Sequence, residues 1–136
     1  MKKNKRKTVL IVLLFIAIVV IAGIFIIKNL IDKLEVSLEE LKDMEIENVD
    51  ISKIPNGIYK GQYAQFPIDV VLSVTVDNGQ ITDIQIQKHV NGKGKDAEKI
   101  TDKVISQKNL QVDTITGATY SSIVILKAIE QALKNR

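Results

Sequence analysis

Hydrophobic and polar residues alternate along this chain in three distinct rhythms. From Thr8 to Ile27 the run is apolar and uncharged. About twenty residues rising 1.5 Å each match the hydrocarbon thickness of a bilayer, so the pattern predicts a transmembrane helix. A cleaved signal peptide would have a shorter apolar stretch ending in a small-x-small site. Here Ala22-Gly23 is followed by further Ile and Phe, which favours an anchor. Residues 28–48 change rhythm, with Leu30, Leu34, Leu38 and Leu41 spaced three and four apart among Asp and Glu. That spacing predicts a helical stalk with an acidic outer face. Its leucine stripe would also suit a partner helix or a second copy, although it spans too few heptads for a strong coiled-coil signal.

A period of two takes over beyond Val49. Ile58–Gln65 reads as a strand entered through the Pro55-Asn56-Gly57 turn. Val70–Val76 and Ile81–Gln87 alternate around Asp77-Asn78-Gly79-Gln80, a strong hairpin signal. Leu72, Val74, Val76, Ile84 and Ile86, or their neighbours, are expected on the buried face. Asp96–Gln107 returns to helical spacing through Ala97, Ile100, Val104 and Ile105. Val112–Ile115 is expected as a short extended piece. Ser121–Lys134 is expected as a last helix packing Ile125, Ile129, Ala132 and Leu133 on the sheet. The fold class is therefore α+β: a small antiparallel sheet packed with two helices, preceded by a transmembrane helix and a stalk. The divisions are a basic tail at 1–7, a span at 8–27, a stalk at 28–48 and a domain at 49–136.

Charge adds orientation. Lys2, Lys3, Lys5, Arg6 and Lys7 precede the span with no acid among them. By the positive-inside rule the N-terminus stays in the cytoplasm and the domain is extracytoplasmic, on a single-pass cell-membrane protein. Of 19 basic residues, removing those five leaves 14 against 16 acidic, so the overall +3 says nothing in favour of a nucleic-acid partner. The absence of cysteine excludes iron–sulfur clusters, thiol catalysis and disulfides. A single histidine, His89, argues against multi-histidine metal or haem sites, and in its Asn/Gly/Lys loop it is expected to be exposed. Gly92-Lys93-Gly94-Lys95 only weakly echoes a P-loop.

The densest chemistry lies in Asp113-Thr114-Ile115-Thr116-Gly117-Ala118-Thr119-Tyr120-Ser121-Ser122. Five hydroxyls besides the tyrosine, an acid and a glycine stand directly before a helix. Gly117 can take positive φ, and the following helix offers free N–H groups and a positive dipole end to a phosphate. The same residues also suit a plain turn, with Ser121 or Ser122 as the helix N-cap and Asp113 as an Asx-type stabiliser.

This segment resembles the flavinylation motif of the FMN-binding domain family: an acid, two variable residues, Ser or Thr, then Gly-Ala-Thr. Asp113, Thr116, Gly117, Ala118 and Thr119 fit position for position. The resemblance extends over roughly 49–136, through Asn56–Gly61, Val71–Ile86, the His89–Gly94 loop, Gln107 and the closing helix. It is similar to the FMN-carrying domains of sodium-pumping NADH:quinone reductases, Rnf-type complexes and extracellular electron-transfer flavoproteins. The resemblance implies FMN joined by a phosphoester to Thr119, attached by a Mg²⁺-dependent flavin transferase with FAD as donor. It places Thr116, Gly117, Ala118, Tyr120, Ser121, Ser122 and His89 near the cofactor and gives Asp113 to transferase recognition or metal-assisted transfer. The implied role is an electron carrier, rather than a stand-alone enzyme, between a quinone-linked or flavin-linked membrane donor and an external acceptor. Two other readings stay open: a non-covalent FMN-binding sensor or accessory subunit, and a membrane-anchored interaction module with a vestigial motif.

Overall fold

A computed structural model describes the backbone of residues 2–135 and the side chains of 5–135. Met1, Arg136 and the side chains of Lys2 and Lys3 in the basic tail lie outside the described residues. The chain divides into two compact units, Met1–Val36 and Ser37–Arg136. Helix α1, Lys2–Lys42, contributes to both. In the first unit it has no Pro and one Gly, and every large apolar side chain from Val9 to Ile27 is exposed. This helix is long and apolar enough to cross a membrane.

The second unit is α+β. Strands β1 (Gly57–Gln65), β2 (Ile68–Asp77) and β3 (Gln80–Val90) form an antiparallel sheet in sequential order. Asn78 (φ 50°) and Gly79 (φ 69°) both take positive φ in the hairpin loop, as a type I′ turn requires. β2 and β3 run past their expected ends because the ladder continues through Val70↔His89 to Asp69↔Val90. On the inner face Val70, Leu72, Val74 and Val76 are at most 1 % exposed, while Ile84 is buried and Ile86 partly so. Burying each such side chain contributes about 1.5–3 kcal/mol.

A 3-10 turn at Lys95–Lys99 leads into α2, Ile100–Gln107, which inserts Ile100 and Val104 into the core. The closing helix α3, Thr119–Lys134, lays Ile125, Ala128, Ile129, Ala132 and Leu133 over β1 and β2. Its approach is close. A Cβ on Gly61 would stand 2.0 Å from the Ala128 carbonyl oxygen, so β1 accepts the helix backbone only through a glycine. Leu41 of α1 is fully buried in this core, with Leu38, Met44, Ile46 and Val49 packed against it. The compact unit thus takes in residues 37–48 as well as 49–136.

Two expected local features differ. Val112–Ile115 adds no strand to the sheet; Leu110 and Val112 are buried, and the segment is anchored by side chains instead of a ladder. α3 starts at Thr119 instead of Ser121, because the turn before it closes on Ala118.

Toward the far end of α3, Glu130 is buried but well partnered. It receives Lys127 Nζ at 2.8 Å, Lys134 Nζ at 2.9 Å and the Glu47 N–H at 3.1 Å. Burial pushes the Glu130 carboxyl up, yet the two lysines and the backbone N–H outweigh it and hold the group below the usual glutamate range.

Candidate functional site

α2 ends at Lys108 in the left-handed conformation (φ 54°), which turns the chain back toward the sheet. Leu110 and Val112 then fix the returning segment in the core. Lys103 Nζ donates to the Asp113 carbonyl oxygen at 3.1 Å, tying α2 to the start of the motif. The Asp113 carboxylate itself is exposed, and no hydrogen bond to it is present among the described residues. The Asx-type bond open to it in sequence terms is therefore not formed.

Thr116 and Gly117 occupy the centre of a tight turn, with the Ala118 N–H donating to the Ile115 carbonyl at 2.9 Å. Gly117 has φ 80° at the third position, where a type II turn demands it. Open space surrounds the point where its Cβ would sit. Ala118 is the N-cap of α3, and no side chain caps the helix. Thr119 is its first residue and is exposed, as are Thr116 and Gly117. The hydroxyl of Thr119 thus stands at the positive end of a 16-residue helix beside backbone N–H groups that lack a side-chain acceptor.

Ser121 and Ser122 are not the cap. Both lie inside the first turn and are buried, at 3 % and 0 % exposure. Ser122 Oγ donates to the Ala118 carbonyl at 2.9 Å and accepts the Ile115 N–H at 3.0 Å. It closes the motif loop from inside, so its hydroxyl is engaged with the backbone. Tyr120 is half-buried against the core.

The His89–Lys95 stretch approaches from the other side. A Cβ on Gly94 would lie 2.1 Å from Ser121 Oγ, so this loop packs directly on the first turn of α3. The Gly94 N–H donates to the Asn91 carbonyl, and Asn91 Nδ2 to the His89 carbonyl at 3.1 Å. His89 is not exposed: its side chain is 2 % accessible, with Nδ1 3.0 Å from Glu98 Oε1. The reason is register. His89 pairs with Val70, which puts its ring on the covered face of the sheet, and Glu98 on the following 3-10 turn meets it. Glu98 and Lys103 were not legible as site residues, because neither partner stands at a helical or strand period from the group it touches.

A family model described as an FMN-binding domain matches residues 63–134, more than half of the chain. It begins near the end of β1 and ends with α3, so it takes in β2, β3, the His89–Gly94 loop and the whole motif. Comparison with curated proteins gives no match.

Proposed function

The chain belongs to the FMN-binding domain family, and on that footing we propose a membrane-anchored flavoprotein electron carrier. In this reading the apolar part of α1 spans the cell membrane, the N-terminus is cytoplasmic and the FMN domain lies outside. Thr119 Oγ carries the FMN phosphate as a phosphoester.

The observation that carries the attachment is the placing of Thr119. It is an exposed residue, the first of a helix without a side-chain cap, and it follows a glycine turn with open space around it. These residues fit the group. A phosphate on Thr119 meets the dipole end of α3 and its free N–H groups, and no bulky side chain stands over Gly117. When bound, FMN supplies one- and two-electron redox chemistry, and the protein supplies position and electrostatics. A tether keeps the flavin at high effective concentration outside the cell, where dilution would strip a loosely held one.

Attachment by a flavin transferase balances with FAD as donor. Thr119 Oγ forms a bond to the flavin-side phosphorus as the pyrophosphate P–O bond breaks. AMP leaves with that electron pair, and the hydroxyl proton passes to a base. Asp113, with its carboxylate free, is assigned to docking the transferase or to the Mg²⁺ at the donor pyrophosphate. Asp113→Ala should then slow labelling without lowering the melting temperature; unchanged labelling kinetics would remove it from this role.

In-gel flavin fluorescence tests the function at its root. Full-length protein produced with a flavin transferase should stay fluorescent after denaturation, and Thr119→Ala should not. Flavin that leaves on denaturation would point to the non-covalent sensor or accessory reading. Complete absence of flavin would point to an interaction module.

A further inference from the structure

Asparagine stands directly before glycine three times in the chain, at Asn56-Gly57, Asn78-Gly79 and Asn91-Gly92. The chemistry open to each pair is intramolecular. The glycine backbone nitrogen gives its proton to solvent base and attacks the asparagine side-chain carbonyl carbon, with no Cβ to crowd the approach. A new C–N bond closes a succinimide ring as the bond to Nδ2 breaks, and ammonia leaves with that electron pair and a proton from water. Solvent water then adds across one of the two ring C–N bonds. An aspartyl or isoaspartyl residue remains, with one new carboxylate.

The fold treats the three pairs unequally. Asn56 and Asn78 are the more exposed, so exposure alone favours them. Their side chains are nonetheless held on one carboxylate. Asn56 Nδ2 donates to Asp77 Oδ1 at 2.6 Å, and Asn78 Nδ2 to Asp77 Oδ2 at 3.1 Å. Asn56 Oδ1 also accepts the Asn78 N–H at 2.9 Å, which ties the two pairs together. Gly57 is fixed in the ladder opposite Val76, and a Cβ on Gly79 would lie 3.1 Å from Ser52 Cα. Attack needs a negatively charged nitrogen, and the Asp77 carboxylate beside both sites opposes it.

Asn91 differs on each count. Its Nδ2 donates only to the neutral His89 carbonyl, at 3.1 Å, a weaker hold than a carboxylate gives. Gly92 lies past the end of the ladder, and its N–H makes no hydrogen bond among the described residues. Nothing stands within 4 Å of the point where its Cβ would sit. Lys93 and Lys95 follow directly, both exposed and without an ion pair among the described residues, and their charge favours a negative nitrogen. We infer that Asn91 is a built-in deamidation site, converting to an acid as the protein ages while the fold protects Asn56 and Asn78.

The product alters the loop where it meets α3. A carboxylate cannot donate, so the bond to the His89 carbonyl is lost. A negative charge also enters the loop whose Gly94 packs on Ser121, in the first turn of α3. The site stands whether or not Thr119 carries a flavin.

Full-length protein, warmed in the native state at mildly alkaline pH and sampled over time, provides the test. Trypsin separates the three sites into Ile54–Lys60, Gly61–Lys88 and His89–Lys93. Mass spectrometry reads the replacement of amide by acid in each. Conversion in His89–Lys93 should run about tenfold faster than in the other two, the scale of the charge-assisted hydrogen bond that must break first at Asn56 and Asn78. The same protein aged in denaturant should show the three rates drawing together, because the protection belongs to the fold. Lys93→Ala combined with Lys95→Ala, both at exposed positions, should slow conversion at Asn91 and leave the other two unchanged. Faster conversion at Asn56 or Asn78, or equal rates in the native chain, would overturn the inference. An undiminished difference in denaturant would also overturn it, because the fold would then play no part.

Discussion

Ser122 accepts the backbone N–H of Ile115 through its fully buried hydroxyl at 3.0 Å, bridging the two ends of the Thr116-Gly117 turn. The same oxygen donates to Ala118, so one side chain fixes both the entry to the turn and the first turn of α3. Ser122→Ala leaves the Ile115 N–H without its acceptor. A loss of about 1–2 kcal/mol is expected from such an orphaned group. The direct check is hydrogen exchange at the Ile115 amide, which should speed up more than exchange in the β2 core. Unchanged protection there would show that the bond does not hold the turn.

Two glycines separate steric from conformational cost. Gly61→Ala drives a methyl into the Ala128 carbonyl of α3, with Ala132 Cβ at 2.8 Å as a second obstacle. Backbone cannot give way as a flexible side chain can, so a loss of about 3 kcal/mol or failure to fold is expected. Gly117→Ala meets nothing, but places an L-residue at φ 80°. It should cost only about 1 kcal/mol. Urea unfolding of both variants gives the comparison; equal losses would contradict this account of α3 packing.

Acid should expose the role of Glu130. Because the folded carboxyl is held below the usual glutamate range, its contribution is present above that range and is lost as pH falls through the lowered folded value. Lys134, held above the usual lysine range by Glu130 and Glu47, behaves in the opposite sense and loses its contribution only in strongly alkaline solution. Glu130→Gln should cost about 1–3 kcal/mol near neutral pH. In stability measured against pH, the gap between variant and wild type should close in acid. A gap that stays constant would show that the ion pairs add nothing.

Periodicity made most of the fold legible. Alternation from Val70 to Ile86 around Asn78-Gly79 located the hairpin, because pleat and turn chemistry are local. The i, i+4 spacing of Ile125, Ile129 and Leu133 located the buried face of α3 for the same reason. What failed was long-range. Ser121 and Ser122 read as caps because serine favours that position. Instead the Gly117 turn makes Ala118 the cap, and Gly94 lets a neighbouring loop bury Ser121. His89 read as exposed because its neighbours are polar, whereas register against Val70 and the Glu98 partner bury it. Glu47 and Glu130, 83 positions apart, leave no trace in any local pattern.

Sidedness has its own test. Protease added to intact cells should remove a fragment bearing Thr119 and leave the apolar segment of α1 in the membrane. A domain protected until the membrane is broken would reverse the proposed orientation.

The central claim is that Thr119, and neither of the other motif threonines, carries the flavin. Trypsin releases Asn109–Lys127, which contains Thr114, Thr116 and Thr119 together. Site-resolved mass spectrometry of that peptide, from protein matured with a flavin transferase, should place one FMN phosphoester on Thr119. An unmodified peptide, or the added mass on Thr114 or Thr116, would contradict the account.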